Sequence, residues 1–406
     1  MVEDGSLAVL SRTAPVIATK ELKMTEPLPQ TDPFAEIRPY HDDEVPAAIA
    51  RLINDEELLA AIAHFRFPRI YRWAYWLLRP LIRHALHKRW ATVHTVRDVQ
   101  NEVAHFMSQM IASTTGGVTY SGLEQLESGK GYLFISNHRD IAMDPAFVNW
   151  GLYKCGLETV RIAIGDNLLR KPCATELMRL NKSFIVKRSA KGPREMLKAF
   201  TELSSYIGHS LQEGHSIWIA QKEGRAKDGD DRTDPAILKM FHMAGKQQKL
   251  SFADHMRQLN IVPVAISYEL DPGDQAKARE LVERAQSGCY EKGEFEDIDS
   301  IVAGIVGQKG RVHVSLGQPL QDEFATPEAL AARIDQEIHT LYRLFPNNLV
   351  AAGRDNEVSV SEREAFESRL QAMPPALRDT VRAMYARPVL NRDSALAARQ
   401  SAPVDA

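Results

Sequence analysis

Cysteine is scarce. Three occur in 406 residues, Cys155, Cys173 and Cys289, far apart and with no C-x-x-C pair. That spacing argues against a disulfide framework or a thiolate zinc site and suits a reducing compartment. Long apolar runs are missing as well. No stretch approaches the roughly 18 apolar residues that cross a bilayer, and residues 1–20 lack the charged-then-apolar layout of a secretory signal. The chain is therefore expected in the cytoplasm, meeting a membrane only at its surface. Neither sign of charge dominates: 50 basic residues face 53 acidic ones, for a net charge of -3. Nothing global points to nucleic acid, and any basic recognition must come from local clustering. Internal repeats, low-complexity tracts and a G-x-S-x-G nucleophile elbow are absent too.

What is present is the composition of an ordinary folded chain, 44% apolar and 25% charged. Residues 1–45 are rich in Pro, Thr, Asp and Glu without a sustained period and read as a mobile leader. Residues 46–116 are helical in pattern, opened by Asn54 or Asp55 as a cap and interrupted at Pro68 and Pro80. From 117 to 345 short apolar runs alternate with amphipathic segments. Strands are expected at Tyr132–Ser136, Val160–Ile164, Phe184–Val186, Ile217–Ala220, Ile261–Ser267 and Val312–Leu316, and helices at Glu195–Leu211 and Pro235–Ala244. This alternation predicts an α/β fold, with a mixed, mostly buried sheet flanked by helices and preceded by the helical segment. Thr326-Pro327-Glu328 starts a further helix. Residues 346–406 read as a polar tail with one helical stretch near Glu362–Tyr385.

Four clusters carry chemistry. In the first, an apolar strand ends at Ser136-Asn137-His138-Arg139-Asp140, followed by Asp144-Pro145. A neutral imidazole there can take a proton from an attacking hydroxyl while a carboxylate fixes its tautomer, a contribution of roughly 10²–10⁴-fold in rate. The bland alternative is a loop histidine beside a helix cap. The second cluster holds Gly165, Asn167, Pro172 and Arg179, then Lys182, Lys187, Arg188 and Lys191 around a short strand. These cations can converge on a phosphate or simply form a solvated edge. The third, Gln221-Lys222-Glu223-Gly224-Arg225, follows another strand, and the fourth is the buried run Ile261–Glu269, in which Pro263 suggests an edge or a bend.

In this order and at these distances, the four clusters resemble the sequence blocks of the glycerolipid acyltransferases, over about residues 118–320. Gly165, Asn167, Pro172, Arg179, Phe184 and Ile185 fall where the glycerol-3-phosphate branch carries the same residues. The resemblance implies transfer of a fatty acyl group from acyl carrier protein or acyl-CoA to a hydroxyl of glycerol-3-phosphate or a lysophospholipid. No acyl-enzyme and no cofactor are implied. His138 would be the general base and Asp144 its orienting partner, with Asp140 the alternative. Arg139, Asn167, Lys187, Arg188, Glu223, Gly224 and Arg225 would hold the acceptor. Two departures stand out: five residues rather than four separate His138 from Asp144, and Arg225 directly follows Gly224. The rival readings are a metal-dependent phosphoesterase built on His138, Asp140, Asp144 and Glu223, and an inactive lipid-binding relative.

Residues 65–90 carry seven Lys or Arg, no acidic residue, and three of the five tryptophans, Trp73, Trp76 and Trp90. At helical spacing, Ala74, Leu77, Leu78, Leu81, Ile82 and Ala85 form one stripe, while Arg72, Arg79 and Arg83 form another. This pattern predicts an interfacial helix on a phospholipid surface, each cation adding about 1 kcal/mol. The alternative is a helical cap packed on the rest of the chain.

Overall fold

The computed structural model describes residues 32–293 and 296–401. Its centre is a seven-stranded sheet in the order β1 (Val118–Ser121), β7 (Val312–Leu316), β6 (Ile261–Tyr268), β2 (Leu133–Ser136), β5 (Ile217–Ala220), β3 (Arg161–Gly165), β4 (Ser183–Val186). All pairings are parallel except that of β6 with β7. β6, β2, β5, β3 and β4 therefore run the same way, and their carboxyl ends open on one sheet edge. Crevices at such an edge are where α/β folds bind ligands.

Side chains alternate across the sheet. Leu133, Ile135, Ile217 and Ile219 join one core with Leu203, Tyr206, Leu238 and Ile334 from helices Pro193–Gln212, Pro235–Phe241 and Pro327–Leu341. Phe134, Trp218, Val262 and Val264 join the other with Met107, Phe147 and Val148 from helices Val96–Thr114 and Met143–Lys154. Burial on both faces explains why the strands read as continuous apolar runs.

Several expectations need correction. Pro263 lies inside the sheet, because β6 pairs with β2 on one side and β7 on the other. The β7 register starts at Val264, and the Pro263 carbonyl accepts from the Gly317 N–H at 2.8 Å, so only one terminal ladder bond is lost. β1, four residues with alternate burial, carried too weak an apolar signal to be expected. Of the expected leader, residues 1–31 lie outside the described residues. Residues 32–45 are packed rather than loose: Ile37 is buried, and its carbonyl accepts from the Ile185 N–H at 2.8 Å, covering the free edge of β4.

The C-terminal segment forms helices Pro346–Ala351, Val360–Gln371 and Pro375–Ser401. With Ala278 of helix Asp274–Ser287 they enclose their own core of Val350, Phe366, Leu370, Val381 and Tyr385.

Near the N-terminus, helices Glu56–Arg66 and Tyr71–Trp90 pair through Leu59, Ala63, Leu78 and Ile82. Asp55 is the cap, its carboxylate accepting from the Leu58 N–H at 2.8 Å. The expected single apolar stripe divides in two. Leu78 and Ile82 are buried, whereas Leu77, Leu81, Trp73 (83% exposed) and Trp76 (70% exposed) face outward. Arg79 and Arg83, expected to face lipid, pair instead with Glu56. Among the described residues, no helix is long and apolar enough to cross a membrane.

Candidate active site

β2 ends at Ser136, and the chain turns sharply into helix Met143–Lys154. Asn137, fully buried, ties the turn to β6: its side chain donates to the Ile266 carbonyl at 3.0 Å and accepts from the Ile266 N–H at 2.8 Å. His138 follows, with Nδ1 2.8 Å from Asp144 Oδ2. A turn at 141–142 separates this loop from the helix that carries Asp144.

Asp144 is wholly buried and accepts from several groups at once. Oδ2 receives the backbone N–H of Arg139 at 2.6 Å and of Asp140 at 2.9 Å, and Oδ1 receives the Tyr268 hydroxyl at 2.6 Å. Both oxygens of this carboxylate, in the first turn of the helix, are thus satisfied by protein donors. Burial first, then the Asp144 charge, push the Tyr268 phenol well above its ordinary range, which keeps it a donor. Asp140 has a separate task. Its Oδ1 accepts from the Ala142 and Met143 N–H groups at 3.0 and 2.9 Å, closing the helix start. Burial, then the neighbouring Asp144, raise its carboxyl above the usual value.

The His138 ring packs edge-on against Trp218 of β5, centroids 5.7 Å apart. Among the described residues, Nε2 has no hydrogen-bond partner. An acceptor-only carboxylate at Nδ1 and an open Nε2 make this imidazole competent to receive a proton.

The other expected residues divide. Arg188, after β4, pairs with Glu223, after β5, at 3.3 Å, so the second and third clusters meet. Asn167 is exposed beside them, its side chain abutting Gly165, where a Cβ would lie 2.3 Å from Asn167 Oδ1. Gly224 adopts φ +76° with open space around it, and Arg225 donates to Ser300 Oγ at 3.3 Å. Lys187 does not join this group: its ammonium is held by Glu36 at 2.7 Å and Glu202 at 3.1 Å. The Arg139 side chain turns inward to Asp231 at 3.4 Å and to the carbonyls of Ala226 and Gly229. It braces the loop after β5 rather than pointing to solvent.

The four residues of the phosphoesterase reading are not assembled, since Asp140 caps a helix and Glu223 pairs with Arg188. Among the described residues, no group of three or more His, Cys, Asp or Glu is arranged to hold a metal ion. Tyr268 stood inside a recognised block, but its bond to Asp144 spans 124 residues and leaves no local sequence signal.

Neutral His138 is expected to carry its proton on Nδ1, where it donates to Asp144. Two-bond ¹⁵N–¹H correlation spectra of the imidazoles read this directly. A neutral ring protonated on Nε2 would contradict the assignment.

Residues 117–267 match the family model for Acyltransferase. No curated protein matches the chain. Among solved structures it is similar to the 1-acyl-sn-glycerophosphate acyltransferase PlsC from Thermotoga maritima, at 14% identity and a TM-score of 0.37 over 69% of this chain and 92% of that one. The matched segment contains His138, Asp144, Arg188, Glu223 and Arg225. Through residues 117–267, the chain carries an acyltransferase-family domain.

Proposed function

We propose that the protein transfers a fatty acyl group from an acyl thioester, on acyl carrier protein or coenzyme A, to a hydroxyl of glycerol-3-phosphate or a lysophospholipid. The observation that carries this reading is the His138–Asp144 pair at the carboxyl edge of the sheet, inside an acyltransferase domain. His138 Nε2 removes the acceptor hydroxyl proton as its oxygen attacks the thioester carbonyl. Asp144 steadies the imidazolium that results. Collapse of the tetrahedral intermediate breaks the carbon–sulfur bond, and the thiolate leaves with the proton that His138 holds. Arg188 and Arg225, with Glu223 and Gly224 between their loops, supply the cationic surface for the acceptor phosphate. Asp166, next to Asn167, holds the loop that carries Arg188, its carboxylate accepting from the Arg188 and Ser189 N–H groups at 3.2 Å each. Arg139 acts from below by bracing the loop 226–231.

The reaction is proposed to take place on the cytoplasmic face of a membrane, with helix Tyr71–Trp90 as the contact. Trp73, Trp76, Leu77 and Leu81 form an exposed apolar face, and the exposed Arg66, Arg69, Arg72 and Lys88 add positive charge along the same segment. Aromatic groups suit the headgroup region and the cations suit anionic lipid. Because Arg79 and Arg83 already neutralise Glu56, the apolar face is the better target for a test.

Purified protein should form a labelled lipid from long-chain acyl thioester and either glycerol-3-phosphate or lysophosphatidate, equally well with a chelator present. His138→Ala should abolish it while the protein stays folded. Near-full turnover by that variant, or loss of activity on chelation, would overturn the mechanism. Replacing Trp73 and Trp76 with Ser should weaken sedimentation with anionic vesicles by roughly tenfold or more. Unchanged sedimentation would remove this helix as the membrane contact.

A further inference from the structure

Lys277 is 3% exposed and lies outside the segment that matches the acyltransferase family model. It sits on helix Asp274–Ser287, and its ammonium reaches back to the catalytic turn, donating to the Arg139 carbonyl at 2.7 Å. That carbonyl belongs to the same peptide group as the Asp140 N–H, which donates to Asp144 Oδ2 at 2.9 Å. The peptide is planar, so its C=O and N–H point in opposite directions. An unbroken line therefore runs from the Lys277 ammonium, through one peptide unit, to the carboxylate and on to His138 Nδ1.

The line has two effects. A cation on a carbonyl oxygen polarises the peptide and makes its N–H a stronger donor, the cooperative strengthening expected of hydrogen-bond chains in a poorly solvated interior. It also fixes the plane of the peptide immediately after Arg139, and with it the direction from which Asp144 faces the imidazole.

Lys277 is itself held from the C-terminal helices. Its ammonium pairs with Asp271, whose backbone N–H donates to the Tyr385 hydroxyl at 2.9 Å. Burial would raise the Asp271 carboxyl, but the Lys277 charge, and then Arg139, hold it below its ordinary value. Tyr385 in turn donates to Asp274 at 3.1 Å, and Arg369 pairs with Asp274 at 2.6 Å. The C-terminal helices thus reach the His138 turn through a short series of buried polar contacts.

We propose that Lys277 is a positioning residue for acyl transfer, fixing the Arg139–Asp140 peptide so that Asp144 orients His138. The inference rests on the reading of His138 as the general base. Lys277 touches no substrate in this account, so its loss should appear in kcat and leave KM for both substrates within about twofold. A charge-assisted hydrogen bond of this kind corresponds to about 10- to 100-fold in rate.

The test measures kcat, KM and thermal unfolding for Lys277→Met, Lys277→Gln and Lys277→Arg in the full chain, with His138→Ala as the control. Lys277→Met should lose about 10- to 100-fold in kcat at unchanged KM. Lys277→Arg, which keeps the cation, should recover part of the loss. If Lys277→Met does not fold, Lys277→Gln supplies the comparison, keeping a donor without the charge and losing less. A kcat for the folded neutral variant within twofold of the parent, with His138→Ala inactive, would overturn this inference and leave the function intact. Turnover retained in His138→Ala would overturn the functional reading itself.

Discussion

The site depends on the burial of a single carboxylate. Asp144 has no exposure to water and is compatible with the interior only because its two oxygens accept from two backbone amides, a tyrosine hydroxyl and an imidazole. A buried charge left unpaired costs several kcal/mol, so each donor is as necessary to the fold as to the chemistry. The turn 137–142 takes its shape from this requirement: two successive N–H groups must converge on one oxygen while the His138 ring reaches the same atom. The side chain of Asn137, bonded in both directions to Ile266, fastens the start of that turn to β6.

From this point the architecture follows outward. β2 delivers His138, β5 delivers Trp218 against its ring and Glu223 at the next loop, and β4 delivers Arg188. Because these strands are parallel neighbours, the loops that carry chemistry emerge together. β6 delivers Tyr268 to the rear of Asp144, and the helices after it close the site from behind. Arg139 and Asp231 link the catalytic turn to the loop after β5, while Tyr342 donates to the same Asp231 from the segment that follows helix Pro327–Leu341.

Much of this was legible in the sequence. The apolar runs from Leu133, Ile217 and Ile261 marked their strands because both sheet faces are buried. The preference for Asp144 over Asp140 rests on the resemblance, because Asp-Pro followed by an apolar helix continues the family pattern; in the structure Asp140 bonds the Ala142 and Met143 N–H groups and Asp144 lies against the ring. What could not be read were partners distant in the chain. Lys187 and Arg139 looked like free cations until Glu36, Glu202 and Asp231 were found beside them. The stripe on helix Tyr71–Trp90 was apolar on two faces, and only packing against Leu59 and Ala63 distinguishes the buried one from the exposed one. Lys277 carried no motif at all, since its meaning comes from a carbonyl 138 residues away.

The account stands most directly on the charge of Asp144. Asp144→Asn keeps the size of the side chain, and a suitably turned amide can still accept from both backbone N–H groups, so the fold should survive. Acyl transfer measured under saturating substrate should then fall by about 10²–10⁴-fold, because the imidazolium formed during attack has lost its counter-charge. A folded Asp144→Asn variant that turns over within a few-fold of the parent would contradict the account.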